Sequence, residues 1–394
     1  MRYTGTVARG IRLPIIKQGD DLAEIVAECL VCAAKTEGFN LRENDVIGVT
    51  EAILGKAQKN YATLDQIAED VKRKFPNGEV GVVFPMLSRN RFLHILKGIA
   101  RGADKVYVLL AYPMDEVGNP LIDIRRLDEI SDALDKVEAK PIPVERFIKE
   151  AGEYKHPFTE IDYVEMFRSV SDNIEVFVSG DPRDILRLTP YVLAAEIHTR
   201  HYTKERLEKA GAKSVFMLSD ILAKPISGSG FNPDYGVLGS NISNDETLKL
   251  FPRDCEEFVE ALQNKIKSRT GICPEVLVYA DGAFKDPKHG IWELADPVVS
   301  PGHSKRLGGK PNEIKLKWVV NQELTDLSDD EKEEALKAII REKNATGKNE
   351  FDTGTTPRIY ADLLGSLCDL MGGSGDKGTP VVLIQGYFDD FATQ

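Results

Sequence analysis

The amino-acid sequence predicts an α+β fold of the mixed α/β kind, with more than one domain. Short apolar runs that suit buried strands alternate with segments whose apolar residues recur at helical spacing. The chain has 394 residues, enough for about two or three domains with sizeable cores. No internal repeat is visible. Together these observations favour an α/β or α+β architecture.

The predicted elements follow one another in a regular order. Asp21 and Glu24 have capping-box spacing, and the helix that begins there ends at Gly38. The same spacing recurs at Thr63 with Gln66 and at Ser328 with Glu331. Strands are predicted at 46–49, 81–84, 105–110, 174–178, 214–218, 275–279, 315–320 and 381–384. Further helices are predicted at 50–59, 63–75, 88–99, 127–137, 144–150, 254–267, 328–343 and 357–370.

The composition argues against several classes of protein. Hydrophobic residues make up 42% of the chain and charged residues 29%, as in an ordinary globular protein. Because 63 acidic residues outnumber 51 basic ones, for a net charge of −12, a nucleic-acid or membrane-surface protein is not expected. No apolar run approaches the ~18 residues of a membrane span, and no signal-peptide core opens the chain. A cytoplasmic location is therefore expected.

The five cysteines predict neither a disulfide framework nor a metal site. Cys29 and Cys32 form a Cys-x-x-Cys pair, but they lie inside an apolar helix pattern and no second pair completes a zinc site. Buried thiols are the favoured interpretation.

A glycine-rich loop lies between a predicted helix and a predicted strand near the end of the chain. Residues 371–388 are Met-Gly-Gly-Ser-Gly-Asp-Lys-Gly-Thr-Pro-Val-Val-Leu-Ile-Gln-Gly-Tyr-Phe. A phosphate-binding Walker loop needs the strand first and its lysine after the last glycine, whereas Lys377 precedes Gly378. Glycines nevertheless reach the positive φ angles that anion nests use. The loop is predicted to be either a nucleotide cradle or a flexible surface turn, which is the commoner case for glycine clusters.

Two aspartates follow predicted strands. Asp281 comes directly after the strand 275–279, and Asp115, with Glu116 and Asn119 beside it, follows the strand 105–110. Mg²⁺ is usually held by one or two carboxylates together with substrate phosphate oxygens, so two such aspartates near a phosphate loop suit a metal–nucleotide site. Aspartates also cap and turn after strands very often, which is the alternative.

Other polar groups give weaker signals. Lys56 follows a strand, where lysines commonly contact phosphate, although a single lysine is more often simply exposed. Glu196, His198 and His201 resemble metal ligands, but they lack the His-Glu-x-x-His order of a zinc helix. Solvated or hydrogen-bonded histidines are the favoured interpretation.

Several segments of the sequence, in the order in which they occur, resemble motifs of the coenzyme F420-0:L-glutamate ligase family. Residues 13–16 are similar to its nucleotide-contacting Leu-Pro-x-Ile, and residues 49–57 to its Val-Thr-x-x-Ile-x-Ser-Lys-Ala. Residues 373–382 resemble its Gly-Gln/Glu-Ala-Asp-Glu-Gly-x-Pro-Val-Val. The nucleotide contacts that the resemblance implies are Leu13, Pro14, Ile15, Ile16, Gly55, Lys56, Asn119, Gly373, Ser374, Gly375, Asp376, Lys377 and Gly378.

The resemblance also implies a metal site. The family's Asp-x-Ser-Asn best matches residues 115–119, one residue wider than usual, and its Asp-Thr or Asp-Ser pair falls on Asp281 and Gly282. Ser374 stands where the family has an amide or carboxylate ligand. Since Gly282 and Ser374 lack those ligands, the implied site holds one metal, or Glu116 or Asp376 replaces a ligand. The implied metal positions are Asp115, Asp281, Gly282 and Ser374, and the implied catalytic residues are Lys56, Asp115 and Asp281.

The activity implied by the resemblance is an amide ligation. GTP as co-substrate would drive the joining of L-glutamate to a carboxylate acceptor such as F420-0 through an acyl phosphate, with Mg²⁺ or Mn²⁺ bound and K⁺ as a further candidate ion. The implied protein is a two-domain homodimer. Its core would be residues 1–120 and 272–394, and residues 121–271 would be an inserted α/β subdomain.

Two alternatives stay open. The acceptor is F420-0, or a folate or another carboxylate. The protein is a ligase, or a non-catalytic nucleotide-binding protein that kept the scaffold. The presence of both Asp115 and Asp281 favours the enzyme, because a retired site would tolerate their loss.

Overall fold

The computed structural model describes residues 4–88, 91–135, 140–155, 160–280, 299–346, 358–372 and 375–393. The strands are β1 (Val7–Ile11), β2 (Val46–Thr50), β3 (Tyr61–Thr63), β4 (Glu79–Val83), β5 (Lys105–Ala111), β6 (Ile142–Pro143), β7 (Ile174–Ser179), β8 (Tyr191–Ala194), β9 (Ser214–Met217), β10 (Asn241–Asn244), β11 (Thr247–Lys249), β12 (Glu275–Tyr279), β13 (Gly302–His303) and β14 (Val381–Gln385). The helices are α1 (Leu22–Glu37), α2 (Glu51–Ala57), α3 (Leu64–Lys74), α4 (Leu93–Gly102), α5 (Leu127–Asp135), α6 (Val144–Ala151), α7 (Tyr163–Arg168), α8 (Arg200–Lys209), α9 (Cys255–Thr270), α10 (Leu316–Gln322), α11 (Asp329–Thr346) and α12 (Tyr360–Met371). Helices and several sheets together confirm the predicted α+β class.

The chain divides into two compact units. The first contains the described residues within Met1–Leu54, Asp254–Asp281 and Val298–Gln394, and the second contains those within Gly55–Arg253. The predicted boundaries of the core (1–120 and 272–394) and of the insertion (121–271) differ from those of the two units. The division into core and insertion stays a prediction. In the structure, β4 and β5 share one sheet with β7, β8 and β9.

A mixed sheet forms the centre of the first unit. Its strand order is β1-β14-β2-β12-β13, in which β2 is parallel to β12 and antiparallel to β14. Every residue of β2 and β14 is buried, as expected for central strands. Position 48 in β2 requires a glycine, because a Cβ atom on this residue would collide with the Sγ atom of Cys368 in α12. The absence of a side chain therefore lets α12 pack closely on the sheet.

The predicted strand 315–320 is wrong, because this part of the first unit is the helix α10. Only Val319 of that helix is buried, while 47% of the Trp318 side chain is exposed. A short apolar run cannot be assigned to strand or helix by periodicity alone. Contact with α11 decides the outcome here.

A largely parallel sheet forms the centre of the second unit. Its strand order is β6-β7-β5-β4-β8-β9; only β6 pairs antiparallel to its neighbour. The chain runs outward from β4 through β5 to β7, then returns to place β8 and β9 on the other side of β4. The order therefore reverses between β4 and β8, and open α/β sheets bind ligands outside the carboxyl ends of strands at such a point.

Both faces of this parallel sheet are covered. Val82 and Val83 are consecutive and fully buried, and they belong to different apolar clusters because successive side chains point to opposite faces. Phe92 and Phe167 pack edge to face in the larger cluster, with ring centroids 5.6 Å apart. The strands β10, β11 and β3 form a separate antiparallel sheet in the same unit. Among the described residues, the helices are all too short or too polar to cross a membrane.

Candidate functional site

A cavity of about 180 Å³ lies in the second unit at the carboxyl ends of β4, β5 and β8. It is therefore at the point where the order of the parallel strands reverses. The loop after β4, the loop after β5 and the segment after β8 line it, and the buried ring of Tyr154 closes part of it. The Tyr154 hydroxyl donates a hydrogen bond of 2.7 Å to the carbonyl of Ala111.

Asp115 organises the loop after β5. Its Oδ1 accepts hydrogen bonds from the backbone N–H groups of Val117 (3.0 Å) and Asn119 (2.8 Å), and its Oδ2 accepts one from the Asn119 side-chain amide (2.9 Å). A carboxylate offers about four lone-pair sites, so about one remains for another ligand. The structure thus brings the predicted residues Asp115 and Asn119 together and shows them building the loop.

Glu116 points its carboxyl group toward the segment after β8. Its Oε2 accepts hydrogen bonds from the backbone N–H groups of Ile197 (2.7 Å) and His198 (3.2 Å). Its Oε1 is buried and has no hydrogen-bond partner among the described residues. Burial raises the pKa of Glu116 to about 7, against the lowering effect of the two N–H groups. The negative charge of Glu196 acts in the same direction as burial.

Glu196 is a second buried carboxyl group at the cavity. Glu196 is 0% exposed, and its Oε1 accepts a long hydrogen bond of 3.5 Å from the Thr199 hydroxyl. The buried Thr203 hydroxyl also acts on this carboxyl group and lowers its pKa, but no hydrogen bond of good geometry reaches Oε2 from the described residues. Burial raises its pKa. His198 and His201, which the sequence groups with Glu196, are exposed.

Arg200 is the cation that interacts most directly with these carboxyl groups. It donates a hydrogen bond to the carbonyl of Ile197, and its half-buried guanidinium interacts electrostatically with Glu116 and Glu196. Burial lowers its pKa, which stays far above neutral pH. One guanidinium therefore stands against the carboxyl groups of Asp115, Glu116 and Glu196.

The sequence matches the model of the F420-0:gamma-glutamyl ligase family over residues 10–386. This chain belongs to that family. The match spans nearly the whole chain and confirms the resemblance found in the sequence motifs. No curated protein matches the sequence.

The family-like motif at residues 13–16 lies in the first unit, between β1 and α1. Ile16 is buried, Leu13 is partly exposed and Pro14 is exposed, while 84% of the Ile15 side chain is exposed. Ile16 anchors this segment to the core. Ile15, next to it, is exposed to solvent, and its predicted nucleotide contact stays a prediction.

The described part of the glycine loop is an exposed turn of the first unit. The N–H group of Gly378 donates a hydrogen bond of 3.0 Å to the carbonyl of Gly375, and Gly378 has a φ of 64°. Asp376 and Lys377, between them, are exposed. Gly373 and Ser374 lie outside the described residues, so this turn fits either of the two predicted interpretations.

Gly55 and Lys56 belong to α2, on the second unit's side of the division. Gly55 is buried, and a Cβ atom there would lie 3.0 Å from the carbonyl oxygen of Leu250. This close approach explains why a glycine replaces the serine of the family motif. Lys56 is partly exposed and forms no ion pair with another described residue.

Of the two aspartates predicted to bind metal, only Asp115 lies within the described residues. Asp281, Gly282 and Ser374 lie outside the described residues, and the metal role of Asp115 stays a prediction like theirs. In the part of the chain that the structure describes, no group of three or more His, Cys, Asp or Glu side chains is arranged to hold a metal ion.

Sequence reasoning missed the roles of Glu196 and Arg200. It named Glu116 only as a replacement metal ligand, and it did not predict β8, whose end carries Glu196. The signal was present, because the run Tyr-Val-Leu-Ala-Ala at 191–195 is apolar and ends in a carboxylate. A carboxylate directly after a buried parallel strand is placed at the ligand-binding edge of the sheet.

Proposed function

We propose that this protein is a nucleotide- and metal-dependent ligase that joins the amino group of L-glutamate to the carboxylate of an acceptor such as coenzyme F420-0. The observation that carries the proposal is the family match over residues 10–386. GTP as the energy source and Mg²⁺ or Mn²⁺ as the metal come from the resemblance of the individual motifs. The same resemblance supports a homodimer.

The proposed reaction passes through an acyl phosphate. The acceptor carboxylate attacks the γ-phosphorus of GTP and GDP leaves. The glutamate amine then attacks the acyl carbon and phosphate leaves. Phosphoryl transfer of this kind depends on positioning and on charge neutralisation, and it requires no covalent enzyme nucleophile.

Lys56 is proposed to contact a phosphate, and Asp115 and Asp281 are each proposed as a ligand of a metal ion, which would neutralise charge on the phosphates. Two features support these roles. Lys56 forms no ion pair with another described residue, and the Asp115 carboxylate keeps about one lone-pair site. The backbone of the turn 375–378 is proposed to hold phosphate oxygens through its N–H groups, which the positive φ of Gly378 favours.

The test is phosphate release by the full chain with GTP or ATP, L-glutamate, Mn²⁺ and a panel of acceptors that includes F420-0 and a folate. Release that requires both an acceptor and glutamate, with an amide product of the expected mass, is the expected result. Nucleotide binding without acceptor-stimulated release would instead identify a non-catalytic nucleotide-binding protein.

Substitution of Lys56 tests its proposed role. Lys56→Ala is expected to weaken GTP binding about tenfold, since a charge-assisted contact to phosphate contributes roughly 1.5–3 kcal/mol and this lysine is partly solvated. Calorimetric titration with GTP measures the change. Lys72→Ala, which removes an exposed lysine from α3, is the matched control. Equal dissociation constants for the two variants would remove Lys56 from the site.

A further inference from the structure

The cavity of the second unit has the position and size of a small-molecule site. It lies where the parallel strand order reverses, outside the carboxyl ends of β4, β5 and β8. Its volume of about 180 Å³ is many times the ~10–15 Å³ that one water requires. Apolar side chains, among them Leu87, Tyr112 and Leu121, make up about half of its wall.

Two carboxyl oxygens at this cavity lack hydrogen-bond partners among the described residues. Glu196 is 0% exposed, and although the Thr203 hydroxyl acts on its carboxyl group, no hydrogen bond of good geometry reaches its Oε2. Oε1 of Glu116 likewise has no hydrogen-bond partner among the described residues. Buried polar atoms in proteins are nearly always satisfied, because an unsatisfied one costs about 1–3 kcal/mol. Two such oxygens lining one cavity point to a bound molecule that donates hydrogen bonds.

We propose that this cavity binds a small molecule that carries an ammonium group and a largely apolar body. The ammonium supplies three N–H donors to the oxygens of Glu116 and Glu196. The apolar body contacts the aromatic and aliphatic wall that includes Tyr112 and Leu87. Asp115, a proposed metal ligand of the ligase, also lines this cavity, but the proposed amine contacts are Glu116 and Glu196 and do not depend on the ligase activity.

The local charges select a cation. The groups that line the cavity or act on Glu116 are Asp115, Tyr154, Glu196, His198 and Arg200. Together with Glu116, these include three carboxyl groups and one guanidinium, so a ligand that brings carboxylates or phosphates without a bound cation is repelled. A bare metal ion is a poorer fit, because no group of three or more ligating side chains within the described residues is arranged around one point.

Ligand binding to the full chain in the absence of nucleotide tests the proposal. The probes are phenethylamine and 1,4-diaminobutane, and the matched neutral probes are 2-phenylethanol and 1,4-butanediol. Saturation-transfer NMR and calorimetry at low salt and pH 8, above the pKa of about 7 of Glu116, are expected to show at least tenfold tighter binding of an amine than of its alcohol. Equal binding of amine and alcohol, no binding of either amine, or tighter binding of L-glutamate would overturn the proposal.

Substitutions locate the binding in this cavity. Glu196→Gln and Glu116→Gln keep the size of each side chain, and each is expected to weaken amine binding at least tenfold. Glu205→Gln, an exposed carboxylate on α8 that pairs with Lys209, is the control expected to leave binding unchanged. Thermal melting verifies that each variant is folded. Unchanged amine affinity in a folded Glu196→Gln variant would contradict the proposal, whatever the outcome of the ligase assay.

Discussion

The two units differ in where their candidate functional residues lie. In the first unit, the family-like segments at 13–16 and 375–378 are surface loops in which residues such as Ile15 and Asp376 are exposed. In the second unit, Glu116 and Glu196 are held in a cavity between strand ends. The motifs of the first unit are contiguous in sequence, whereas the cavity joins groups 80 positions apart, at 116 and 196. A sequence motif and a formed cavity are therefore separate kinds of evidence for a site.

The candidate residues of the two units also differ in what their substitution is expected to change. An exposed charge keeps its hydration, so replacing it has little effect on stability. A buried carboxyl group loses its hydration, and its cost depends on pH. Stability measurements can therefore separate the two units, and they also test whether each unit unfolds by itself.

The largest effect is expected from Phe92→Ala in the second unit. Phe92 is fully buried and packs on Phe167, and truncating such a side chain costs about 3–5 kcal/mol. Hydrogen exchange read by mass spectrometry in increasing urea is expected to show earlier unfolding of peptides from the second unit. If peptides from the first unit shift equally, the two units unfold as one and the comparison fails.

Gly48→Ala is the corresponding change in the first unit. The added Cβ collides with the Sγ atom of Cys368, and overpacking of this kind costs about 1–3 kcal/mol. The same exchange experiment should now report earlier unfolding of the first unit. Gly375→Ala, where a Cβ meets nothing within 4 Å, is the control. Adding Cys368→Ala should restore part of the lost stability, and no restoration would exclude the collision as the cause.

A pH-dependent effect is expected at Glu116. Its pKa is raised from 4.5 to about 7, so the folded state binds the proton more tightly than the unfolded state does. This stabilisation is complete below about pH 4.5 and is lost as the pH rises through 7. Glu116→Gln should therefore gain about 1–2 kcal/mol relative to wild type between pH 5 and pH 8, less than the full shift implies because the side chain is partly exposed. Urea titrations at both pH values measure it.

A substitution in the exposed turn 375–378 of the first unit is the control for the Glu116→Gln result. Asp376→Asn in the first unit is expected to leave the stability difference between the two pH values unchanged, since this side chain is exposed. A Glu116→Gln variant whose stability relative to wild type is the same at pH 5 and pH 8 would mean that Glu116 is not held in a desolvated site.

The smallest effect is expected at the start of α3. The Thr63 hydroxyl accepts a hydrogen bond of 3.2 Å from the Gln66 N–H, and the Gln66 side chain accepts one of 2.8 Å from the Thr63 N–H. Thr63→Ala should destabilise the second unit by about 1 kcal/mol. Thr63→Ser keeps the cap and should be close to wild type in urea denaturation. Equal losses for both variants would assign the effect to the methyl group instead.

Elements with strong local signals were predictable. The capping box at Thr63 and Gln66 is present, the helix predicted between Asp21 and Gly38 is α1, and the apolar run 381–384 is β14. The run 315–320 was assigned wrongly, since its four apolar residues among six suit either structure, and in the fold this segment contacts α11 as a helix.

Within the candidate sites, the sequence identified the loop of Asp115, Glu116 and Asn119, because polar residues after an apolar run are a local pattern. It did not identify Glu196 as part of the same cavity. The local sequence around residue 196 does not indicate which strand β8 pairs with, and the structure shows that this strand is β4.

By itself, the sequence determined the fold class, most of the helices and strands and the family of this protein, because these depend on residues close together in the chain or on a match along its length. Only the tertiary structure decided the strand order and the cavity that follows from it. The physical reason is that β4 pairs in parallel with both β5 and β8, so the carboxyl ends of all three strands lie at one edge of the sheet. The segments that follow β5 and β8 therefore place Glu116 and Glu196 in one cavity.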